Sequence, residues 1–400
     1  RYFPDGLYCF HLFTLLIRFK GIMIKWLALV LLLAIGQASI YSRYYAEAAK
    51  IAEAMSLDQR IGQTIQSDFY AITDKGVTDP AVAQSLHLGS LLVAGNGAPT
   101  STGNMATLPN IIEEEKIKDT YLNATLQNWQ ALTKKFSGLY EEVTTEDKKV
   151  YRIKLLLATD AVHNDQHVLG TVLFPHNIGL SCSHNPQHFY NQGFWTSASL
   201  KKSGFNYAFS PTVAVSHNPQ WGRYYETMGQ EENFIYLYAK EFVRGLQSVD
   251  TASGRVNGVV ASVKHFMADG ATLYGANQGD ARVYNFKTFI SHNIQGYKGA
   301  IESEVGTVMA SYSAINDIPM SLNNYYLQNL LKEDLGFGGF VISDYNQASN
   351  SINLSRCDRD YSTTHQFCQY DRGSSLWNYV LRWYRYVHDA LRQGCHRKAH

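Results

Sequence analysis

Short apolar runs alternate along most of the chain with longer stretches of helical periodicity. The runs at residues 88–94, 153–158, 207–215, 259–263, 307–311 and 339–342 are mostly apolar. Runs this short, bounded by Gly or polar residues, predict buried parallel strands. Pro211 interrupts the third of them, because it has no N–H for a ladder. Between the runs, residues 120–136, 185–202, 232–246, 286–304 and 323–335 predict helices. Leu122, Leu126, Trp129 and Leu132 share a face in the first, and Leu327, Leu330, Leu331 and Leu335 in the last. Gly296 weakens the fourth. Residues 46–64 also read as helix, with Ser56 and Gln59 spaced as a capping box for a second segment.

Strand and helix alternation implies an α/β fold with a parallel sheet. Several strands end in a polar residue: Asp160, Lys264-His265, Tyr312 and Asp344. A TIM-type (β/α) barrel gathers such residues at its top face. A doubly wound open sheet does so only near its switch point. The barrel is therefore the expectation, incomplete at its C-terminal end because strand signals stop after about residue 354. No strand leads into Gly-x-Gly-x-x-Gly, so no dinucleotide is indicated.

The ends of the chain differ from the middle. Met23-Ile24-Lys25, the apolar stretch 26–35 and Gly36-Gln37-Ala38 have the layout of a signal peptide, with Ser39 at the mature start. Residues 1–22 precede that Met without such a pattern and read as a non-native upstream segment. The alternative is a signal anchor over 7–30, interrupted by Arg18 and Lys20. The predicted organisation is thus 1–22, a signal peptide at 23–38, a barrel domain at 39–354 and an atypical tail at 355–400. That tail holds three of the five Cys and a single Lys, Lys398, and reads as a truncated or frame-disrupted end rather than a native extension. A secreted or lysosomal destination makes Asn123 and Asn353 N-glycosylation sequons. No stable membrane insertion is expected once the signal is cleaved.

Composition excludes more than it selects. A formal net charge of +1 gives no electrostatic case for nucleic acid. The five Cys have no zinc-like spacing, and nothing else suggests a metal or organic cofactor. Aromatics make up 13% of the chain, with 27 Tyr, which would suit stacking on sugar rings.

Carboxylates at strand ends suit carbohydrate chemistry. Cleaving a glycosidic bond with retention needs one carboxylate beneath the anomeric carbon. Carboxylates and cationic donors also grip ring hydroxyls. The wording of the chain then resembles glycoside hydrolase family 3. Lys264-His265-Phe266-Met267-Ala268-Asp269-Gly270, running on to Gln278-Gly279-Asp280, resembles that family's Lys-His-Phe-x-x-Asp-Gly hallmark. The resemblance extends to Asp160-Ala161-Val162-His163 with Leu173-Phe174-Pro175-His176-Asn177, and to Ser210-Pro211 with Trp221-Gly222-Arg223 and Glu226. It also takes in Met309 to Asn316 and the stretch Gly339 to Tyr345. Order and spacing agree from about residue 55 to about 350.

The resemblance implies a (β/α) barrel and retaining, exo-acting β-glucosidase-like hydrolysis of O-glycosidic bonds, with β-linked glucosides or short β-glucan oligosaccharides as partners. By position, Asp344 would be the nucleophile, and Asp160, Arg223, Lys264 and His265 would bind hydroxyls of the innermost sugar. Tyr312 would sit beside the nucleophile. Tyr345 would stand where the family usually has Trp. Glu226 and Asp269 are expected to be structural, and His163, His176 and His217 to serve packing or loop hydrogen bonds. Adjacent strand residues point to opposite faces, so Lys264 and His265 are expected to diverge.

A retaining hydrolase also needs a general acid/base. In the resembling β-glucosidases that Glu lies in a second domain, and in the N-acetylglucosaminidase branch it is replaced by a His within an Asp-Ser-His signature. Neither is found here, and residues 355–400 contain no Glu. The alternative expectation is a secreted sugar-binding paralogue that does not turn its ligand over.

Overall fold

The computed structural model describes residues 39–74, 77–93, 97–107 and 122–347. The predicted upstream segment, signal peptide and tail lie outside the described residues, as does Asn353.

Seven strands form one parallel sheet: β1 (Gln66–Asp68), β2 (Ser90–Leu92), β3 (Leu156–Thr159), β4 (Tyr207–Ala208), β5 (Val260–Phe266), β6 (Thr307–Ala310) and β7 (Phe340–Ile342). Their order across the sheet is their order in the chain. A doubly wound sheet reverses direction at a switch point. An unreversed order is that of a sheet curling toward a barrel, here an incomplete (β/α) barrel. Each strand therefore delivers its C-terminal end to the same rim.

Two apolar layers hold the sheet. Inside the curl, Ala158, Tyr207, Phe209 and Met309 cluster with Leu92, Leu156, Val260 and Ile342. Tyr207 is fully buried there and shares a 2.9 Å hydrogen bond with the Thr307 hydroxyl. The outer, larger core lies between sheet and helices and includes Trp129, Phe189, Phe242, Phe266 and Tyr297.

Among the described residues the helices include α1 (Tyr45–Ala54), α2 (Leu57–Gln63), α3 (Pro80–Ser85), α4 (Leu126–Lys134), α5 (Pro186–Ser203), α6 (Glu232–Gln247), α7 (Phe286–Asn293) and α8 (Gln295–Glu302), besides a single turn at Asn177–Ser181. The predicted capping box is present at α2, where Ser56 and Gln59 satisfy each other's backbone N–H. The α5 helix opens on Asn185, which accepts from Gln187 N, with Pro186 in the first turn. Gly204, at φ 91°, closes it in the left-handed conformation.

Where α5 crosses α6, two glycines let the backbones touch. A Cβ on Gly193 would lie 2.2 Å from the Phe242 carbonyl oxygen, and one on Gly245 2.2 Å from that of Tyr190. Backbone cannot yield as a side-chain tip would. Gly193→Val should destabilise the fold by at least about 2 kcal/mol. An unchanged urea midpoint would contradict this close crossing.

Several boundaries differ from the sequence reading, each for a local reason. The run 153–158 is two elements. Val150–Lys154 pairs antiparallel with Tyr140–Thr144 as a hairpin, and the chain changes partners at Leu155 and Leu156, whose N–H groups go to Leu139 and Gly89. Helix α4 starts at Leu126 because Thr125 caps it, which leaves Leu122 exposed. The stretch 286–304 breaks at Ile294 into α7 and α8. Gly296, just beyond, sits where a Cβ would meet Val213 at 2.6 Å. Tyr325–Asp334 winds wider than an α-helix: Leu335 N–H donates to Leu330 O, five residues back. The run 207–215 is broken at Pro211 as predicted, and pairing resumes through Thr212 and Val213 beside Lys264.

The first described residues are fixed at the base of the barrel. Ser39 Oγ and Ile40 N–H both donate to the Glu304 carboxylate, and Tyr45 Oη donates to Gly338 O at the foot of β7. Among the described residues no helix is long and apolar enough to cross a membrane.

Candidate active site

The rim gathers side chains from five strand ends and the loop after β4. Asp160 follows β3. Its Oδ1 accepts from Lys264 Nζ at 2.5 Å. The Lys264 side chain is 4% exposed and that of Asp160 43%, so the ammonium is sealed beneath a carboxylate that still faces solvent. Burial works to raise the Asp160 carboxyl, but the Lys264 charge and hydrogen bond more than offset it and hold it below its ordinary value.

The expectation that Lys264 and His265 diverge is corrected. Val263 pairs with Val308 but Phe266 with Ala310, so β5 carries one extra residue against β6. Such a bulge breaks strict alternation, and both side chains reach carboxylates of the same rim. His265 Nδ1 lies 2.8 Å from Asp269 Oδ2, which fixes the ring. The other nitrogen, Nε2, is 3.8 Å from Asp344 Oδ2. That is a charge contact when the ring is protonated, and too long for a hydrogen bond.

Asp344 stands two residues past β7, with its side chain 16% exposed. Its backbone is clamped. Asp344 N–H donates to Gln347 Oε1 at 3.0 Å, Gln347 N–H donates to Asp344 O, and the Gln347 amide reaches back to Ser311 O beyond β6. Tyr345 N–H donates to Asp344 Oδ1 at 2.7 Å. Tyr312 stands alongside, its hydroxyl donating to Tyr345 O. Burial and the Asp344 charge push the Tyr312 phenol well up, so it stays protonated.

Arg223 comes from the loop after β4. Its guanidinium makes a two-pronged bond to Glu226, Nε to Oε1 at 2.7 Å and Nη2 to Oε2 at 2.8 Å. Thr212 Oγ1 adds a 3.1 Å bond to the same carboxylate. Burial would raise Glu226, yet Arg223 brings it down to about 2. Burial lowers Arg223, and Glu226 outweighs it so that the guanidinium is raised, with Asp269 and Asp344 contributing. Glu226 thus braces Arg223, and Asp269 braces His265.

Two residues of the rim were not read from sequence. Asp68 ends β1, and its charge, after burial, raises the Tyr345 phenol, which places the two sheet edges within electrostatic reach of one another. The strand Gln66-Ser67-Asp68 has only one buried position, so it left no apolar run to find. Gln347 gave no signal because its task is to fold back on the turn it follows.

The loop after Asp160 holds a buried acid that the rim does not use. Asp165 Oδ2 accepts from Ser203 Oγ at 2.5 Å, while Oδ1 has no hydrogen-bond partner among the described residues. Burial pushes this carboxyl up to about 6. A raised carboxyl costs stability as pH climbs from about 4 to 6. Asp165→Asn should therefore stabilise the fold by about 2–3 kcal/mol at pH 7 and leave it unchanged below about pH 4. Urea unfolding at both pH values checks this, and a loss at pH 7 would refute it.

His163 and His176 pack edge to face at 4.6 Å, and His176 against Tyr225. Asn123 is exposed, as a sequon requires. Cys182 is a free, exposed thiol.

With the parallel sheet, its carboxylate-lined rim and the bulged Lys-His pair established, the comparisons with known proteins are direct. The sequence matches the Glycosyl hydrolase family 3 N terminal domain over residues 56–363, and the chain belongs to that family. It is 28% identical over 194 residues to a periplasmic beta-glucosidase of Salmonella typhimurium, covering 48% of this chain and 24% of that protein. It is 24% identical over 301 residues to a lysosomal beta glucosidase of Dictyostelium discoideum, covering 73% and 34%. In structure it is similar to an exo-1,3/1,4-beta-glucanase from a Pseudoalteromonas species, with a TM-score of 0.60 and 28% identity over 76% of this chain and 35% of that one. The chain spans about a quarter to a third of the length of these relatives.

Proposed function

We propose that this domain carries the nucleophile side of a retaining β-glucosidase-like site, acting on β-linked glucosides or short β-glucan oligosaccharides. The observation that carries the reading is the clamped, solvent-reachable Asp344 carboxylate at the C-terminal end of β7, flanked by His265 and Tyr312. Asp344 attacks the anomeric carbon. The aglycone oxygen leaves, and water later releases the glycosyl-enzyme ester. Asp160 accepts from sugar hydroxyls on its open face while Lys264 keeps it ionised. Arg223 and His265 donate to hydroxyls near the nucleophile, and Tyr345 offers an aromatic platform. The names of the Salmonella, Dictyostelium and Pseudoalteromonas relatives support a β-glucoside substrate. Export is the fitting destination, since two of those relatives are named periplasmic and lysosomal and Ser39, the expected mature start, is anchored to Glu304.

A second reading is sugar binding without turnover. It is favoured by the state of the rim carboxylates: Asp160 and Glu226 are held below their ordinary values, the wrong state for a general acid at neutral pH. A 2-fluoro-glucoside with a strongly activated leaving group separates the two readings, because such a group departs without protonation. Intact-mass analysis should find one glycosyl unit added, and peptide mapping should place it on Asp344. Saturable binding with no adduct would favour the second reading.

A further inference from the structure

Three side chains with none of the rim contacts described above converge on one another. His217 lies in the loop after β4, Glu232 is the first residue of α6, and His292 is in the last turn of α7. Their ligand atoms all lie within 4.8 Å of one another. His292 Nδ1 and Glu232 Oε1 are 3.0 Å apart, and the two imidazole rings are 5.9 Å apart at 58°. An ion pair accounts for Glu232 and His292 but leaves the approach of the second imidazole unexplained.

Two imidazoles and one carboxylate form a donor set suited to zinc-class divalent ions. Calcium and magnesium prefer oxygen donors throughout. Around a tetrahedral zinc, donor atoms sit roughly 3.3 Å apart. The Glu232–His292 pair is already near that spacing. The exposed His217 needs only a side-chain rotation to complete three ligands, with a fourth position facing solvent. Among the described residues Glu232, in the first turn of α6, is otherwise held by His292 and the helix dipole.

We propose that His217, Glu232 and His292 bind one zinc-class cation, and that the ion ties the loop bearing Trp221 and Arg223 to α6 and α7. His217 lies six positions before Arg223 on that loop (223 − 217). The ion would be structural, fixing the loop against the two helices. No sequence motif signals it, because the three ligands come from separate segments.

The test uses the untagged protein and zinc chloride alone. The chain has 14 His in all, so the comparison with variants decides. In calorimetric titration the wild type should bind one zinc ion saturably at this site, and His217→Asn or His292→Asn should each weaken that event by about tenfold or more. Zinc at 100 times its Kd should raise Tm by about 3 °C in the wild type and not in the variants, with calcium ineffective in both. Cobalt(II) should give a visible d–d band that His217→Asn abolishes. Because His217 is exposed, its replacement leaves packing intact and the result readable even if His292→Asn folds poorly. Equal zinc affinity and stoichiometry in wild type and His217→Asn, or no saturable binding in the wild type, would overturn the proposal.

Discussion

With Asp344 replaced by Asn, an activated 2-fluoro β-glucoside should leave the protein unlabelled, its rate of adduct formation down by at least about a thousandfold. The amide oxygen still accepts from Tyr345 N–H, so the turn held by Gln347 survives. What is lost is the negative charge that the proposed mechanism sets beneath the anomeric carbon. The Asp344 carboxylate makes no ion pair closer than 3.8 Å among the described residues, so its removal should change the urea midpoint very little. Loss of labelling with the fold retained assigns the nucleophile. An adduct that persists in Asp344→Asn would mean another side chain attacks.

Arg223→Met should produce the largest loss of stability, about 3–5 kcal/mol at pH 7, because it strands the Glu226 carboxylate, whose side chain is 7% exposed. The pH dependence carries the diagnosis. In the wild type Glu226 is held at about 2 against an ordinary 4.5. Its contribution of about 3 kcal/mol is therefore present above pH 4.5 and lost as pH falls toward 2. In the variant, burial without the guanidinium raises the same carboxyl. The folded form then takes up a proton above pH 4.5, and the variant recovers stability relative to wild type as the solution is acidified. Urea midpoints at pH 7, 5 and 3.5 should converge. A gap that stays constant over that range would show that Arg223 acts by packing rather than by charge.

The fold was legible where burial on both faces wrote itself as an uninterrupted apolar run. The β5 run is buried from Ala261 onward and was found; β1, with one buried position, was not. The hairpin at Tyr140–Thr144 and Val150–Lys154 alternates exposed residues with half-buried ones and the buried Val143, so only its apolar end was noticed and was merged with β3. The site was legible as polar residues at strand ends, which is why Asp160, Lys264, His265, Tyr312 and Asp344 were singled out together. What escaped depended on geometry that spacing does not encode. One extra residue in β5 turns Lys264 and His265 toward the same rim, and the curl of the sheet brings Asp68 within reach of Tyr345.

The unreversed strand order also sets the sequence of events during synthesis. Each strand emerging from the ribosome finds its partner already made, and the sheet grows in one direction only. A nascent chain that has reached Ala310 possesses Asp160, Lys264 and His265 in place, but the outer edge of β6 is bare. Those N–H and C=O groups stay open to any passing strand until Phe340–Ile342 arrives. Asp344 is thus among the last polar groups delivered to the rim, followed only by the turn that clamps it. A product stalled or clipped before β7 would lack Asp344 and keep the adhesive edge of β6 exposed.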